Sequence, residues 1–401
     1  MTRHLRLPAL VILLGLIGAC NDGPEPSLAD KCDLPLAQGA NRTVSERWYR
    51  VSRDIIARRE PGPLRLARHV ALVSVALYNA EVSALDAEQK GGSVSPVGAA
   101  GGAVSAVLTS LYPLDLAPID SASASERARV SALSAECITR FTNGVTAGAR
   151  IGAGVIASAA TDRTDLVWAG PAQTGPGIWT SAPPPAQPLS PRWGEARGWF
   201  LTSGSQFRPV SPPPFGSTEE RVALAEVRRF SDTRTPEQLR IAQFWGNTTG
   251  NLGAVGIWSD YGFELANAAL YSELRTARLF ALIHMAAMDA MISCWEAKYA
   301  FWYIRPNQAD PAISTPVGRP NFPAWPSAHS CFSASSGGVL AANFPTASAD
   351  IAARIQEAGE ARIYAGLHYR FDITAGQAIG ASVAQMVNQL APSEGIAVTL
   401  K

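Results

Sequence analysis

The chain has 401 residues, of which 47% are hydrophobic and 17% are charged, and its formal net charge is +1. This composition indicates a globular protein large enough for one large domain or two smaller ones. The balanced charge gives no field that would favour a nucleic acid or a strongly charged partner, so any anion site has to be local.

The N-terminus has the pattern of an export signal, which we assign to residues 1–20. Two arginines precede an apolar run over residues 7–17 that is too short to span a bilayer. Residues 17–20, Ile-Gly-Ala-Cys, resemble a bacterial lipobox, which would make Cys20 a lipidated first residue; a plain signal with a chance cysteine is the alternative. We expect a protein anchored by lipid in the periplasm or at the cell surface, with a tether over residues 21–43 and no later stretch long and apolar enough to span a membrane.

Four further cysteines follow the proposed anchor. In an oxidising compartment an even number of thiols tends to form disulfides. We expect Cys32 to pair with Cys137, and Cys294 with Cys331, because the second pair flanks two segments with candidate functional residues. Unpaired buried cysteines are the alternative.

Helical periodicity begins after the tether and defines an N-terminal helical bundle over residues 44–167. Its segments are rich in alanine and low in charge, and strand patterns are nearly absent. Weakly charged helices with small faces imply tight packing. The predicted helices cover residues 44–59, 63–84, 98–112, 122–142 and 144–160.

The composition changes over residues 168–217, where proline and glycine dominate. Trp179, Trp193 and Trp199 occur among them, whereas a flexible linker would be poor in aromatic residues. We therefore expect an ordered connection that runs over the surface to a C-terminal helical bundle, residues 218–401. Helices are predicted there over residues 218–230, 236–246, 257–270, 273–304, 327–343, 347–364 and 370–391.

One candidate site lies where a helix begins at Ser327. Pro323 and Pro326 keep the approach extended, and serine is a good N-cap. A helix N-terminus presents unpaired N–H groups and a partial positive charge, which suit an anion, and His329 lies in its first turn. On its own, the stretch is also that of an ordinary capped helix with a surface histidine.

Two cations lie near the end of the preceding predicted helix. Trp295, Lys298, Trp302 and Arg305 are spaced by three, four and three residues, which predicts one helix face. A solvated face is one interpretation. Because most of this helix is apolar, we favour buried cations, which need a partner.

A third segment, residues 361–372, completes the candidate site. Gly366 should break its helix and bring Arg362 and His368 to a common point, with Asp372 placed to orient the histidine. A single carboxylate is too few for a divalent metal, whereas this set suits a tetrahedral oxyanion. The combined candidates are Lys298, Arg305, Ser327, Ala328, His329, Arg362, His368 and Asp372.

These three segments resemble a known signature. Lys298-x6-Arg305-Pro306, Pro326-Ser-x-His329 and Arg362-x5-His368-x3-Asp372 are similar to the motifs shared by type 2 phosphatidic acid phosphatases, bacterial acid phosphatases and vanadium-dependent haloperoxidases. The Phe322-Pro-Ala-aromatic-Pro-Ser approach and several looser upstream stretches resemble vanadium chloroperoxidases. The resemblance implies an all-α fold of two four-helix bundles, joined here by the proline-rich connection, with the site in the C-terminal bundle.

The resemblance also implies a cofactor and a reaction. Vanadate would be bound through its vanadium by His368 and through its oxygens by Lys298, Arg305, Arg362, Ser327 and the Ala328 N–H. His329 would be the acid/base group, Asp372 would orient His368, Lys298 would polarise the peroxide, and Trp295 and Phe322 would form an apolar wall near the halide. The implied enzyme oxidises a halide with hydrogen peroxide to a hypohalous acid.

Other readings of the same residues stay open. A phosphatase would use His368 as the nucleophile of a phosphohistidine and His329 to protonate the leaving alcohol, with a phosphate ester at the same site. A lipoprotein that only binds an oxyanion is a third possibility. Two departures bear on the choice: Ala328 stands where the resembled family usually has glycine, and Ala361 replaces a serine.

Overall fold

The computed structural model of the protein describes residues 31–33, 43–181, 187–247 and 252–400. This described part consists of helices and connections without a β-strand, so the predicted all-α class is confirmed. The proposed signal, the lipobox and most of the tether lie outside the described residues. Export and lipid anchoring therefore stay predictions.

Five helices form the first part of the described chain. They are α1 (Val44–Arg59), α2 (Pro63–Gln89), α3 (Pro96–Leu111), α4 (Leu116–Ser131) and α5 (Ala135–Ala159). The predicted break near residue 143 was wrong, because Gly144 lies inside α5, where it serves packing. A Cβ added to Gly144 would lie 2.3 Å from the backbone oxygen of Ser95, the N-cap of α3, and one added to Gly148 would lie 1.9 Å from the backbone oxygen of Ala99. Glycine thus allows α3 and α5 to pack backbone against backbone.

Eight helices follow the connection. They are α6 (Thr218–Thr233), α7 (Pro236–Gly246), α8 (Gly253–Ala268), α9 (Glu273–Phe301), α10 (Pro306–Ala309), α11 (Ala328–Asn343), α12 (Ser348–Tyr364) and α13 (Arg370–Leu390). The long helix α9 packs against α2 on one side and against α11 and α13 on another. It therefore carries the site residues near its C-terminus within the core. The division into two four-helix bundles, and the predicted domain boundaries, stay predictions.

The proline-rich connection is held to the core by its aromatic residues. Trp179, Trp193 and Trp199 are buried. Asp289 of α9 accepts hydrogen bonds from the backbone N–H groups of Trp199 and Phe200, both at 2.8 Å. Buried aromatic surface and a buried carboxylate thus fix the described part of this segment against α9.

Two helices of the described part, α2 and α9, are long and apolar enough to cross a bilayer. On length and composition, the expectation that no later stretch could do so was wrong. Both helices are packed inside the protein, since 67% and 94% of their most apolar windows are buried. The buried core helices of globular proteins are also often this long and apolar.

The cysteines follow only half of the expected pairing. Cys32 and Cys137 form a disulfide. Cys294 and Cys331 are free thiols, so the second predicted disulfide was wrong. Both lie completely buried in the packing of α9 against α11, where the Cys294 thiol donates to the Pro326 carbonyl at 3.9 Å. They act there as small apolar side chains.

Candidate active site

The helix that carries Lys298 ends earlier than predicted. Helix α9 stops at Phe301, and Trp302 takes a left-handed conformation with φ of 50° that caps it. Arg305 therefore follows the helix in extended backbone, as the N-cap of α10. The prediction that Arg305 shares a helix face with Lys298 was wrong, yet both side chains reach the segment before α11.

Lys298 is completely buried and is held by backbone carbonyls. Its Nζ donates to the oxygens of Pro323 and Ala324, both at 2.9 Å, and to that of Pro326. Burial lowers the pKa of Lys298 to about 8, and the nearby Arg305 adds to this effect. The three acceptors fix the ammonium group without neutralising its charge.

Arg305 is held in the same way. Its Nε donates to Phe322 O at 3.0 Å, Nη2 to Pro323 O at 3.3 Å, and Nη1 to Leu367 O at 2.8 Å. Nη1 also lies 3.3 Å from Nε2 of His368. Burial lowers the pKa of Arg305 to about 9. The two cations therefore converge on the segment that leads into α11.

This segment ends in the predicted helix cap. Ser327 is the N-cap of α11, and its hydroxyl accepts from the Ser330 N–H. Its own N–H donates to the backbone oxygen of Asp372 at 2.9 Å, which ties α11 to the start of α13. A Cβ added to Gly376 would lie 2.5 Å from the Ser327 oxygen, so glycine permits this contact. Ala328, the first residue of α11, lines a cavity.

Arg362 is the cation with the fewest partners in the site. It lies in the last turn of α12 and is 3% exposed. Its Nε and Nη1 atoms are buried with no hydrogen-bond partner among the described residues. Burial lowers its pKa to about 10. The chain then turns at Gly366, whose φ of +71° is readily reached by glycine, as predicted.

His368 follows this turn and is oriented by Asp372. Its Nδ1 lies 2.9 Å from Asp372 Oδ2, which also accepts from the Tyr369 N–H at 3.0 Å. Burial raises the pKa of Asp372 to about 7, against the opposing effects of the Tyr369 N–H and of Lys298 and Arg305. Burial and Arg305 hold the pKa of His368 well below its usual range, so its ring is neutral. When Asp372 is ionised, Nδ1 carries the proton and Nε2 presents a lone pair.

His329 is fixed by a backbone carbonyl from α7. Its Nε2 lies 3.0 Å from the Trp245 oxygen. A carbonyl only accepts, so Nε2 carries the proton and Nδ1 of the neutral ring is free to take one up. Burial, followed by Arg362, holds the pKa of His329 well below its usual range.

A cavity of about 1300 Å³ opens onto these groups. Arg362, His329 and Ala328 line it together with Trp295 and Phe322. The last two rings lie 4.7 Å apart, and the Phe322 ring centre lies 5.1 Å from both Lys298 Nζ and Arg305 Cζ. The predicted apolar wall thus lies directly beside the cations. Helices α1 and α2 also contribute residues to the cavity, so both parts of the chain form it.

The structure brings all ten predicted site residues together, while their functional roles stay predictions. Three buried cations face one buried carboxylate, Asp372, and two neutral histidines. No group of three or more histidine, cysteine or acidic side chains suited to a metal ion occurs in the described ranges. The local excess of positive charge matches a tetrahedral oxyanion.

The sequence predicted no role for Trp245 or Gly246. The contact with His329 comes from the Trp245 backbone, and a backbone carbonyl leaves no mark in the sequence. The one sequence signal for this turn was Gly246, the glycine at the end of the predicted helix 236–246. Its absent side chain leaves space for Arg362.

Comparisons with known proteins show what the chain is similar to in sequence and in fold. Residues 278–395, which hold all ten site residues, match the family model described as the PAP2 superfamily. No curated protein matches the chain. The fold is similar to that of a solved bacterial vanadium-dependent iodoperoxidase, with a TM-score of 0.73 at 23% identity over 86% of this chain and 95% of that one.

Two further solved structures share the fold. The holo-type of a bacterial vanadium-dependent chloroperoxidase aligns with a TM-score of 0.65 at 13% identity, over 85% of this chain and 96% of that one. The apo-type aligns with a TM-score of 0.63 at 13% identity, over 82% and 95%. The expected resemblance, to the PAP2 superfamily and to bacterial vanadium-dependent haloperoxidases, is confirmed.

Proposed function

We propose that this protein is a vanadate-dependent haloperoxidase that oxidises a halide with hydrogen peroxide to a hypohalous acid. The observation that carries the proposal is the uncompensated charge of Lys298, Arg305 and Arg362. All three are buried, and among the described residues only Asp372 opposes them while Arg362 Nε and Nη1 have no hydrogen-bond partner. A buried charge without a partner is costly, so this arrangement is expected only where an anion binds.

The residues present fit vanadate. Arg362, a remaining N–H of Arg305 and the hydroxyl of Ser327 would supply donors for its oxygens, with the N–H of Ala328 at the N-terminus of α11. Lys298, whose three N–H groups already point at backbone carbonyls, would act through its charge. The neutral Nε2 of His368 supplies a ligand for the vanadium. When bound, vanadate supplies a Lewis-acidic centre at which hydrogen peroxide becomes a stronger oxidant.

The protein's own groups then manage protons and charge. His329 takes up a proton at Nδ1 as peroxide binds and returns one to the departing oxygen, while Trp245 holds its other nitrogen. Lys298 and Arg305 stabilise the negative charge on the reacting oxygens, and the carbonyls of residues 322–326 keep them in place during the reaction.

The cavity wall suits a weakly hydrated anion. Trp295 and Phe322 exclude water beside the cations, and the Trp295 indole N–H already donates to the Leu189 oxygen at 3.1 Å. A halide entering this corner exchanges water for an apolar surface next to positive charge. The preference for chloride, bromide or iodide then depends on the space beside the Phe322 ring.

The alternative function is hydrolysis of phosphate monoesters, favoured by the match of residues 278–395 to the PAP2 superfamily. The unprotonated Nε2 of His368, which lies 3.3 Å from Arg305 Nη1, would attack phosphorus, and His329 would protonate the leaving alcohol. The cation set serves both reactions, because phosphate and vanadate share charge and shape.

One experiment separates the two reactions. Purified protein loaded with orthovanadate is assayed for halogenation of monochlorodimedone with peroxide and each halide, and vanadate-free protein for hydrolysis of nitrophenyl phosphate. We expect halogenation that depends on vanadate and is lost in His368→Ala. Phosphatase turnover without halogenation by any halide would refute the haloperoxidase proposal.

We also propose that the protein is exported and anchored by a lipid at Cys20. The Cys32–Cys137 disulfide supports this, because such bonds persist in oxidising compartments. Labelled palmitate should enter the wild type but not Cys20→Ser, and that variant should be recovered from the soluble fraction. Equal labelling of both proteins would contradict the anchor.

A further inference from the structure

The C-terminal turn of α7, formed by Trp245 and Gly246, contacts two of the proposed site residues. The Trp245 carbonyl accepts from His329, and Gly246 borders Arg362. Neither residue has a side chain that could serve in the reaction itself. Their contribution therefore has to be the positions of the groups they touch.

The Trp245 carbonyl is held in place through its own side chain. The indole is 1% exposed, and its N–H donates to Glu357 Oε1 of α12 at 2.9 Å. The ring lies 6.2 Å from that of Trp258, whose N–H donates to Ser333 Oγ at 3.0 Å. Ser333 is one turn after His329 on α11, so the contacts form a closed loop that returns to the helix carrying the histidine.

Gly246 contributes by having no side chain, which leaves space beside Arg362. A Cβ added there would lie 3.2 Å from Arg362 Nη1 and 3.1 Å from Val317 Cγ1, both closer than an ordinary van der Waals contact. The φ of Gly246 is not in the left-handed region, so the backbone does not require glycine. Since Nη1 has no hydrogen-bond partner among the described residues, packing against this glycine limits where the guanidinium lies.

We infer that the Trp245–Gly246 turn is the positioning element of the site. Its carbonyl holds His329 as the Nε2–H tautomer, with Nδ1 as the atom that exchanges a proton, and its glycine leaves the space that the Arg362 guanidinium needs to reach an oxyanion. The role in catalysis rests on the proposed function, whereas the tautomer and the anion affinity can be measured without any turnover.

The tautomer is tested first. Nitrogen-15 spectra of the imidazole rings distinguish Nε2–H from Nδ1–H, and His329→Gln assigns the signal. We expect the Nε2–H form in the wild type. An Nδ1–H form would overturn the inference, whichever reaction the enzyme performs.

The anchoring of Trp245 is tested with side-chain variants. Trp245→Phe removes the bond to Glu357, so we expect a mixture of His329 tautomers and a kcat lower by roughly 10- to 100-fold, the size of effect that a small misplacement of a catalytic group causes. The affinity for inorganic phosphate should stay within about threefold, well under the 1.4 kcal/mol of a tenfold change.

Three matched variants complete this test. Glu357→Ala should give the same mixture of His329 tautomers and the same lower kcat as Trp245→Phe. Glu357→Gln keeps an acceptor for the Trp245 indole N–H and should therefore behave like the wild type. Trp48→Phe, at a buried tryptophan of α1 whose N–H has no partner among the described residues, controls for the loss of an indole. Wild-type kcat and a single tautomer in Trp245→Phe would overturn the role of Trp245.

Gly246→Ala tests the space beside Arg362. We expect phosphate to bind about tenfold more weakly, as for the loss of one hydrogen bond to a charged group. Gly318→Ala is the matched control, because Gly318 lines the same cavity and its added Cβ meets nothing within 4 Å. Equal affinities for the two variants would overturn the role of Gly246. Wild-type protein that bound phosphate but never halogenated would refute the proposed function. The comparison of phosphate affinity between Gly246→Ala and Gly318→Ala would still test the role of Gly246.

Discussion

Replacing Arg362 by methionine should make the protein more stable and remove its ability to bind an oxyanion. The guanidinium is 3% exposed and two of its nitrogens have no partner among the described residues. Burial lowers its pKa from the ordinary range of arginine to about 10. At about 1.4 kcal/mol per pKa unit, the charged form costs roughly 3 kcal/mol in the folded state.

This cost is present wherever Arg362 is charged in both states, that is at all pH values below about 10. Methionine keeps the unbranched apolar stem and removes the charge, and replacement of buried ions by apolar groups is often neutral or stabilising by roughly 1–4 kcal/mol. We therefore expect Arg362→Met to raise the free energy of unfolding by about 1–3 kcal/mol. Urea unfolding followed by circular dichroism measures this change.

The second half of the prediction concerns how much bound vanadate raises the free energy of unfolding. Orthovanadate at 100 times its Kd should stabilise the wild type by about 2.7 kcal/mol and should leave Arg362→Met unchanged. Arg354→Met is the control on the same helix: Arg354 is partly exposed and pairs with Asp350 at 3.0 Å, so its loss should cost under about 1 kcal/mol and keep the response to vanadate. A variant of Arg362 that is destabilised yet still stabilised by vanadate would refute the reasoning.

Three further predictions follow from the same geometry. Asp372→Ala should weaken vanadate binding by roughly 10- to 100-fold in calorimetry, because His368 loses the acceptor that sets its tautomer. Phosphate affinity should fall as pH rises through about 8, where Lys298 loses its proton; a constant Kd between pH 7 and 9.5 would contradict this. Mass spectrometry of the unreduced protein should find Cys294 and Cys331 as free thiols, and a peptide linking them would contradict their assignment.

Residue types and spacing predicted eight of the side chains that meet at the site, and the family resemblance added Trp295 and Phe322. The turn at Gly366, the N-cap at Ser327 and the pairing of His368 with Asp372 each have a local sequence cause, and each is present in the structure. The all-α class followed from helical periodicity and the near absence of strand patterns.

The route that the backbone takes was harder to predict. Trp302 adopts a left-handed conformation that tryptophan rarely takes, so no residue type announced the end of α9 or the extended backbone at Arg305. Gly144 resembled a helix break, although close packing against α3 explains it. The Trp245 carbonyl was unpredictable because any residue at that position would offer the same acceptor.

The way in which the cations are held explains how the site can keep its charge. Lys298 and Arg305 together donate to the carbonyls of residues 322, 323, 324 and 326, and these neutral acceptors fix both side chains where carboxylates would cancel their charge. Pro323 and Pro326 suit this role, because proline offers a carbonyl without adding a buried N–H that needs a partner. The proline-rich approach to α11 therefore keeps two positive charges in place and available, and Arg362, with its unpaired donors, adds the third. The oxyanion that we propose as the ligand would balance all three charges.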